Sequence, residues 1–161
     1  MCCKVVGGQG IKHLLIVYHT QSGSTRALAE AALAGASTES DIAARLLPAM
    51  EAAANDLLWA DAVIFASPEN FGYLSGGLKD FFDRTFYADG IQPLNLPYGV
   101  IISAGNDGAG ALRQLERIVK GYPLRCVAEP IISRGPPSMA GFKQCQELGA
   151  ALAAGLAMGI Y

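Results

Sequence analysis

Residues 19–25 read His, Thr, Gln, Ser, Gly, Ser and Thr, and they run straight into a segment of helical period. Thr20, Ser22, Ser24 and Thr25 place four hydroxyls around Gly23. The first N–H groups of a helix lack intrahelical partners and the helix dipole is positive there, so the position favours an anion. Gly23 lets the backbone approach a ligand closely. A solvated helix cap would account for one hydroxyl. Four exceed what a cap needs, and the pattern points to a phosphate. The stretch is not Gly-x-x-x-x-Gly-Lys-Ser/Thr, which speaks against nucleoside triphosphate hydrolysis. Nor is it Gly-x-Gly-x-x-Gly, the usual dinucleotide fingerprint. A phosphatase loop would carry a cysteine nucleophile; Arg26 is available, but Thr20 stands at the cysteine's place, and threonine is a poor nucleophile without a base.

Two further stretches carry unusual chemistry. Pro68, Glu69, Asn70, Phe71 and Gly72 follow an apolar run and read as an exposed turn presenting an aromatic, with Pro68 expected to end the strand. By itself that turn is equally a surface loop with Phe71 packed on the next helix. Ser103, Ala104, Gly105, Asn106, Asp107 and Gly108 form a glycine-rich connection able to approach a flat ligand; alone, this is also a generic strand-to-helix loop. No His–Asp pairing suggests side-chain acid–base catalysis. Cys2, Cys3, Cys126 and Cys145 include no Cys-x-x-Cys pair, and both histidines lie near the start of the chain, so no metal site is expected.

Something must bring these stretches together. Continuous apolar runs at 13–18, 62–66 and 98–103 read as strands buried on both faces. Weaker strands are expected at 42–47, stopped by Pro48, and at 124–128. Helical periodicity marks 22–35, 50–59, a segment from Leu74 to near Tyr87, 109–120, and a final stripe of Phe142, Cys145, Leu148, Leu152 and Leu156. Strand and helix alternate, which predicts an α/β fold with a parallel sheet, right-handed crossovers and helices on both faces. Such sheets bind ligands beyond the carboxyl ends of their strands, where all three stretches fall. Trp59 and Cys126 are expected in the core.

The 161 residues carry 12 Lys+Arg against 14 Asp+Glu, a formal charge of -2, and 16% of them are charged. That length predicts one domain, 11–161, after a short tail, 1–10. The near-neutral balance argues against nucleic acid as a partner. No apolar stretch reaches the ~18 residues a membrane span needs, and a cytoplasmic location is expected from the absence of a signal-like leader. The small-residue face of the last helix, 150–160, suggests a homo-oligomer.

Residues 18–25 resemble the FMN-phosphate loop of the flavodoxin-like superfamily, aromatic-x-Ser/Thr-x-Ser/Thr-Gly-x-Thr, at all its defined positions. Residues 67–84 resemble the Ser-Pro-x-Tyr-x-Gly-x-x-Ser-Gly-x-x-Lys-x-Phe-x-Asp-Arg segment of the NAD(P)H-dependent quinone and FMN reductases of that superfamily. Pro68, Gly72, Ser75, Gly76, Lys79, Phe81, Asp83 and Arg84 stand in register. The resemblance covers roughly 12–128. It implies a three-layer fold with five parallel strands in the order 2-1-3-4-5. It implies FMN held by Thr20, Gln21, Ser22, Gly23, Ser24 and Thr25 at its phosphate. It places Pro68, Glu69, Asn70, Phe71 and Gly72 against the flavin ring, and Ser103, Ala104, Gly105, Asn106 and Gly108 at its pyrimidine edge. It implies NADH or NADPH as electron donor and a quinone or similar small molecule as acceptor, with the chemistry on the flavin. The alternative within the superfamily is a flavodoxin-type electron carrier.

Overall fold

A computed structural model of the chain describes residues 10–92 and 94–161. The expected tail, with Cys2 and Cys3, lies outside the described residues except for Gly10. The apolar runs fold as strands β1 (Lys12–Tyr18), β2 (Ile42–Pro48), β3 (Ala62–Asn70) and β5 (Pro97–Ala104), with short strands β4 (Tyr73–Leu74), β6 (Arg125–Cys126) and β7 (Ile131–Arg134). The helices are α1 (Ser24–Ala36), α2 (Ala54–Trp59), α3 (Gly76–Thr85), α4 (Ala109–Lys120) and α5 (Met139–Ala157). The sheet order is β2-β1-β3-β5-β6, with β7 also on β5 and β4 antiparallel on β3; the other pairings are parallel. This is the expected flavodoxin-like order, with its last position divided between β6 and β7.

Strand alternation sorts the core into two layers. Leu15, Val17, Val63, Phe65, Val100 and Ile102 face α3 and α4, with Phe81, Phe82 and Tyr122. Leu14, Ile16, Ile64 and Ile101 face the other way, with Leu28, Ala32, Leu148 and Leu152. On that side α1 and α5 touch backbone to backbone. A Cβ on Gly35 would collide with the Gln146 carbonyl, and one on Gly149 with the Ala32 carbonyl. The small residues of α5 therefore pack within the chain, and Leu152 and Leu156 are buried there.

Several expectations need correction. Pro68 does not end its strand: β3 continues to Asn70. Its pairing with β1 stops at Ala66, so Pro68 lies where one flank is free and its missing N–H costs little. The buried strand expected at 124–128 is only the exposed pair Arg125–Cys126, and Ile131–Arg134 takes over the edge after Pro130 breaks the run. Cys126 is thus exposed, whereas Cys145 is buried. Trp59 is half-buried rather than in the core, stacked on His13 with ring centroids 4.3 Å apart and with Arg45 3.9 Å over its face. The helix expected from residue 50 starts at Ala54.

Candidate functional site

The three stretches converge where the sheet's carboxyl ends meet the starts of α1, α3 and α4. Gly23 is the residue before α1, with φ 94°, a conformation natural to glycine. No side chain caps this helix, and the first intrahelical bond at this turn runs from the Ala27 N–H to the Gly23 carbonyl. The Thr20 hydroxyl accepts from the Gly23 N–H at 3.0 Å, which shapes the loop. The Ser22 and Ser24 hydroxyls lie 3.4 Å apart, and Thr25 is 1% exposed. The serines therefore do not serve as helix caps. Ser22, Ser24 and Thr25 line one cavity at an uncapped helix start, a neutral cradle with the chemistry an anion requires. Arg26 takes no part in it, being paired with Glu30 at 2.8 Å on the helix exterior.

The second stretch is a two-residue hairpin. Asn70 pairs with Tyr73, and Phe71 and Gly72 occupy the tip with φ 53° and 69°. Two consecutive left-handed residues suit the right-handed twist of a tight hairpin. For Phe71 the conformation is strained at a cost of order 1–3 kcal/mol, a strain that persists only when surrounding structure fixes it. The ring is fully exposed, at 108% of its reference area. Buried Ser67 fixes the hairpin from below: its Oγ accepts from the Ser75 N–H at 3.0 Å, while Ser75 caps α3 by accepting from the Leu78 N–H at 3.3 Å. The Asn70 amide donates to Gln21 Oε1 at 2.5 Å and ties this hairpin to the first loop. The tip rests on α4, where a Cβ on Gly110 would overlap the Gly72 carbonyl oxygen.

The third stretch turns at Gly108, φ 70°, with Asp107 Oδ1 accepting from the Ala109 N–H at 3.0 Å. A cavity of about 320 Å³ opens between these elements. Gln21, Ser22, Ser24 and Thr25 line it from the first loop; Pro68, Glu69 and Asn70 from the second; Ser103, Ala104 and Gly105 from the third. Thr20, Gly23, Phe71, Gly72, Asn106 and Gly108 are not among its walls. Thr20 and Gly23 shape the first loop from behind, and Phe71 and Gly72 stand at the hairpin tip. Gly108 is buried against Ile132 and Ile102, which leave no space for a side chain.

Gly135 and Pro136 complete the wall. Sequence reasoning missed this fourth loop because it placed the last strand too early. The signal was present in Ile131 and Ile132 followed by Gly135, Pro136 and Pro137, another apolar run ending in turn residues. Asp83 and Arg84 lie outside the cavity. Asp83 holds Lys79 at 2.6 Å, and Arg84 donates to the carbonyls of Ala49 and Ala52 at 2.7 and 3.1 Å, joining α3 to the segment before α2. Glu69 is the one ionisable group among the cavity's described walls. His19 packs its ring against Gly77, and its Nδ1 is buried without a partner among the described residues. The arrangement can hold an anion at one end and a flat ring between hairpin and third loop; it presents no nucleophile–base pair. Among the described residues no cluster of three or more His, Cys, Asp or Glu could hold a metal ion, and no helix is long and apolar enough to cross a membrane.

The model of the NADPH-dependent FMN reductase family matches residues 14–127. A flavodoxin of Aquifex aeolicus is 39% identical over 70 residues, which is 44% of this chain and 38% of that protein, so the match spans well under half of the relative. Among solved structures, an archaeal flavodoxin superposes with a TM-score of 0.77 at 20% identity, covering 88% of this chain and 96% of that one. A flavodoxin, WrbA-like protein from Agrobacterium tumefaciens superposes with a TM-score of 0.75 at 21% identity, covering 92% and 98%. At such identities the two structures speak for the fold alone.

Proposed function

The chain belongs to the NADPH-dependent FMN reductase family, and from that membership we propose that it holds FMN in this cavity and passes electrons from NADPH to a small acceptor such as a quinone. The observation that carries the reading is the convergence on one cavity of an uncapped helix start rich in hydroxyls and a hairpin bearing an exposed aromatic. Bound FMN would supply the redox chemistry, two-electron exchange between a nicotinamide donor and the acceptor.

What remains for the protein is binding and orientation. The N–H groups at the start of α1, with Ser22, Ser24 and Thr25, hold the terminal phosphate without a basic residue. A dianion ending the ligand suits this neutral cradle better than the pyrophosphate of FAD, for which the chain has no glycine fingerprint. The rigid hairpin at 68–72 fixes one edge of the ring. The small residues Ala104 and Gly105 leave a face open to a nicotinamide. The location in the cytoplasm and the quinone as acceptor belong to this same proposal.

The carrier reading draws support from the Aquifex flavodoxin's sequence similarity. The two separate in one assay: FMN-reconstituted protein mixed with NADPH and benzoquinone. Steady, FMN-dependent oxidation of NADPH supports the reductase. Oxidation no faster than with free FMN would count for the carrier.

A further inference from the structure

The hairpin that walls the cavity has a short ladder of its own. Only two residue pairs form it, Glu69 with Leu74 and Asn70 with Tyr73, and a two-stranded ribbon of that size is at best marginally stable in water. Its tip adds cost rather than support, since Phe71 takes a left-handed conformation and is fully exposed. On one flank β1 has already ended, at the level of Ala66. Yet Pro68, Glu69 and Asn70 must stay in place if they are to meet a ligand.

A pair of serines holds the base. Strand alternation puts residues 63, 65 and 67 on one face of β3. Val63 and Phe65 are apolar and belong to one cluster with Leu74 and Leu78. The third position of that row is Ser67, which is 0% exposed. A hydroxyl there costs free energy unless it is bonded. Its Oγ accepts from the Ser75 N–H at 3.0 Å and donates to the Pro68 carbonyl at 2.9 Å, with Ser75 Oγ 3.3 Å away. One hydroxyl thus joins the chain entering the hairpin to the chain leaving it, where the backbone ladder has run out. Ser75 is buried as well, and it passes the restraint to α3 by accepting from the Leu78 N–H at 3.3 Å. Capping α3 needs only Ser75, so the cap does not account for Ser67. Neither serine is among the cavity's walls; what they do for a ligand they do through the hairpin.

We infer that Ser67 and Ser75 are positioning residues whose buried hydroxyls set the place of the 68–70 wall against the bound flavin. This rests on the reading of the cavity as an FMN site. Without the Ser67 hydroxyl, the buried Ser75 N–H loses its acceptor. The hairpin can then swing about its remaining anchors, the Asn70–Gln21 bond and the contact of Gly72 with Gly110.

Three variants separate positioning from the plain loss of a buried bond. Ser67→Ala removes the clamp and Ser67→Thr keeps the hydroxyl. Thr85→Val removes a hydroxyl of comparable burial that bonds the Phe81 carbonyl and the Tyr122 hydroxyl, away from the cavity. Each full-length chain is titrated with FMN by fluorescence, and the absorption and circular dichroism of the bound flavin are recorded at saturating FMN. Amide exchange of segment 68–76 is followed by mass spectrometry with and without FMN. Ser67→Ala should bind FMN about ten-fold more weakly and shift the bound flavin's spectrum. Its hairpin amides should exchange at least about ten-fold faster. Ser67→Thr should recover the affinity to within about threefold. Thr85→Val should lower the melting temperature and leave flavin affinity, spectrum and hairpin exchange unchanged. Should Ser67→Ala fail to fold, Ser67→Cys fills the space with a weak acceptor and should move the same readouts in the same direction. Flavin spectrum and hairpin exchange equal to wild type in Ser67→Ala overturn the inference, even if stability falls. A wild-type chain that takes up no FMN strikes the flavin reading, while faster hairpin exchange in Ser67→Ala would still uphold the clamp.

Discussion

Gly110→Ala asks whether the hairpin tip must rest on α4 for the site to form. The glycine sits in the first turn of α4, where alanine would ordinarily stabilise a helix by up to about 1 kcal/mol. Here the added Cβ would overlap the Gly72 carbonyl oxygen, well inside the 3.0 Å that real Cβ atoms respect. The obstacle is backbone, so no side chain can rotate aside. The tip, already strained at Phe71, has to retreat by about 1 Å, and overpacking of this kind costs about 1–3 kcal/mol. The net expectation is a loss of zero to about 2 kcal/mol, which for a chain of this size lowers the melting temperature by up to roughly 8 °C. The functional loss should be larger in proportion, because a shift of about 1 Å in a positioning group can cost on the order of 100-fold in rate. The assay pairs thermal unfolding with FMN titration and NADPH oxidation, and Gly76→Ala is the control, since nothing lies within 4 Å of a Cβ there. A Gly110→Ala protein with raised stability and unchanged flavin affinity would refute the packing argument.

Other consequences are as specific. Thr25→Val keeps the shape of a 1%-exposed residue and removes its hydroxyl; losing a hydrogen bond to a charged phosphate costs about 1.5–3 kcal/mol, a roughly 10- to 150-fold weaker FMN complex by fluorescence titration, with the apo fold little changed. Gly149→Ala forces α5 off the Ala32 carbonyl and should lower stability by about 1–3 kcal/mol in urea unfolding while leaving the flavin cavity's walls in place. Burial pushes the Cys145 thiol up to about 12 and the Tyr122 hydroxyl up to about 12, from ordinary values of 9.0 and 10.0. The unfolded chain gives up these protons first as pH rises. Stability is therefore full below pH 9, declines as pH climbs from 9 towards 12, and should be seen to do so by urea midpoints along a pH series. Exposed Cys126 should react with a thiol reagent in the native protein while Cys145 does not, as mapped by mass spectrometry.

The sheet centre was legible because its residues obey one rule. Leu14–Val17 and Val63–Phe65 are buried on both faces, and a strand with two covered faces reads as an unbroken apolar run. The first loop's place at a helix start beside the cavity was legible because the helical period sets in directly after its glycine and hydroxyls. The sheet edge was not. Arg125–Cys126 is short and exposed while Ile131–Arg134 is only partly covered, so neither leaves the apolar signature of a central strand. That error hid Gly135 and Pro136, which complete the cavity wall. The hairpin after Pro68 was hidden by a rule that holds only inside a sheet, since β1 has already ended beside it. The close contacts at Gly35, Gly110 and Gly149 involve elements far apart in sequence, and a glycine alone does not tell a turn from a crossing.

The most direct test of the account is a single anaerobic mixing of NADPH with the FMN-reconstituted protein, followed through the flavin's visible absorption. The account predicts that the band bleaches at a rate that saturates with NADPH and that it returns when benzoquinone is added. A band that stays unchanged with NADPH, yet bleaches with dithionite, would contradict it.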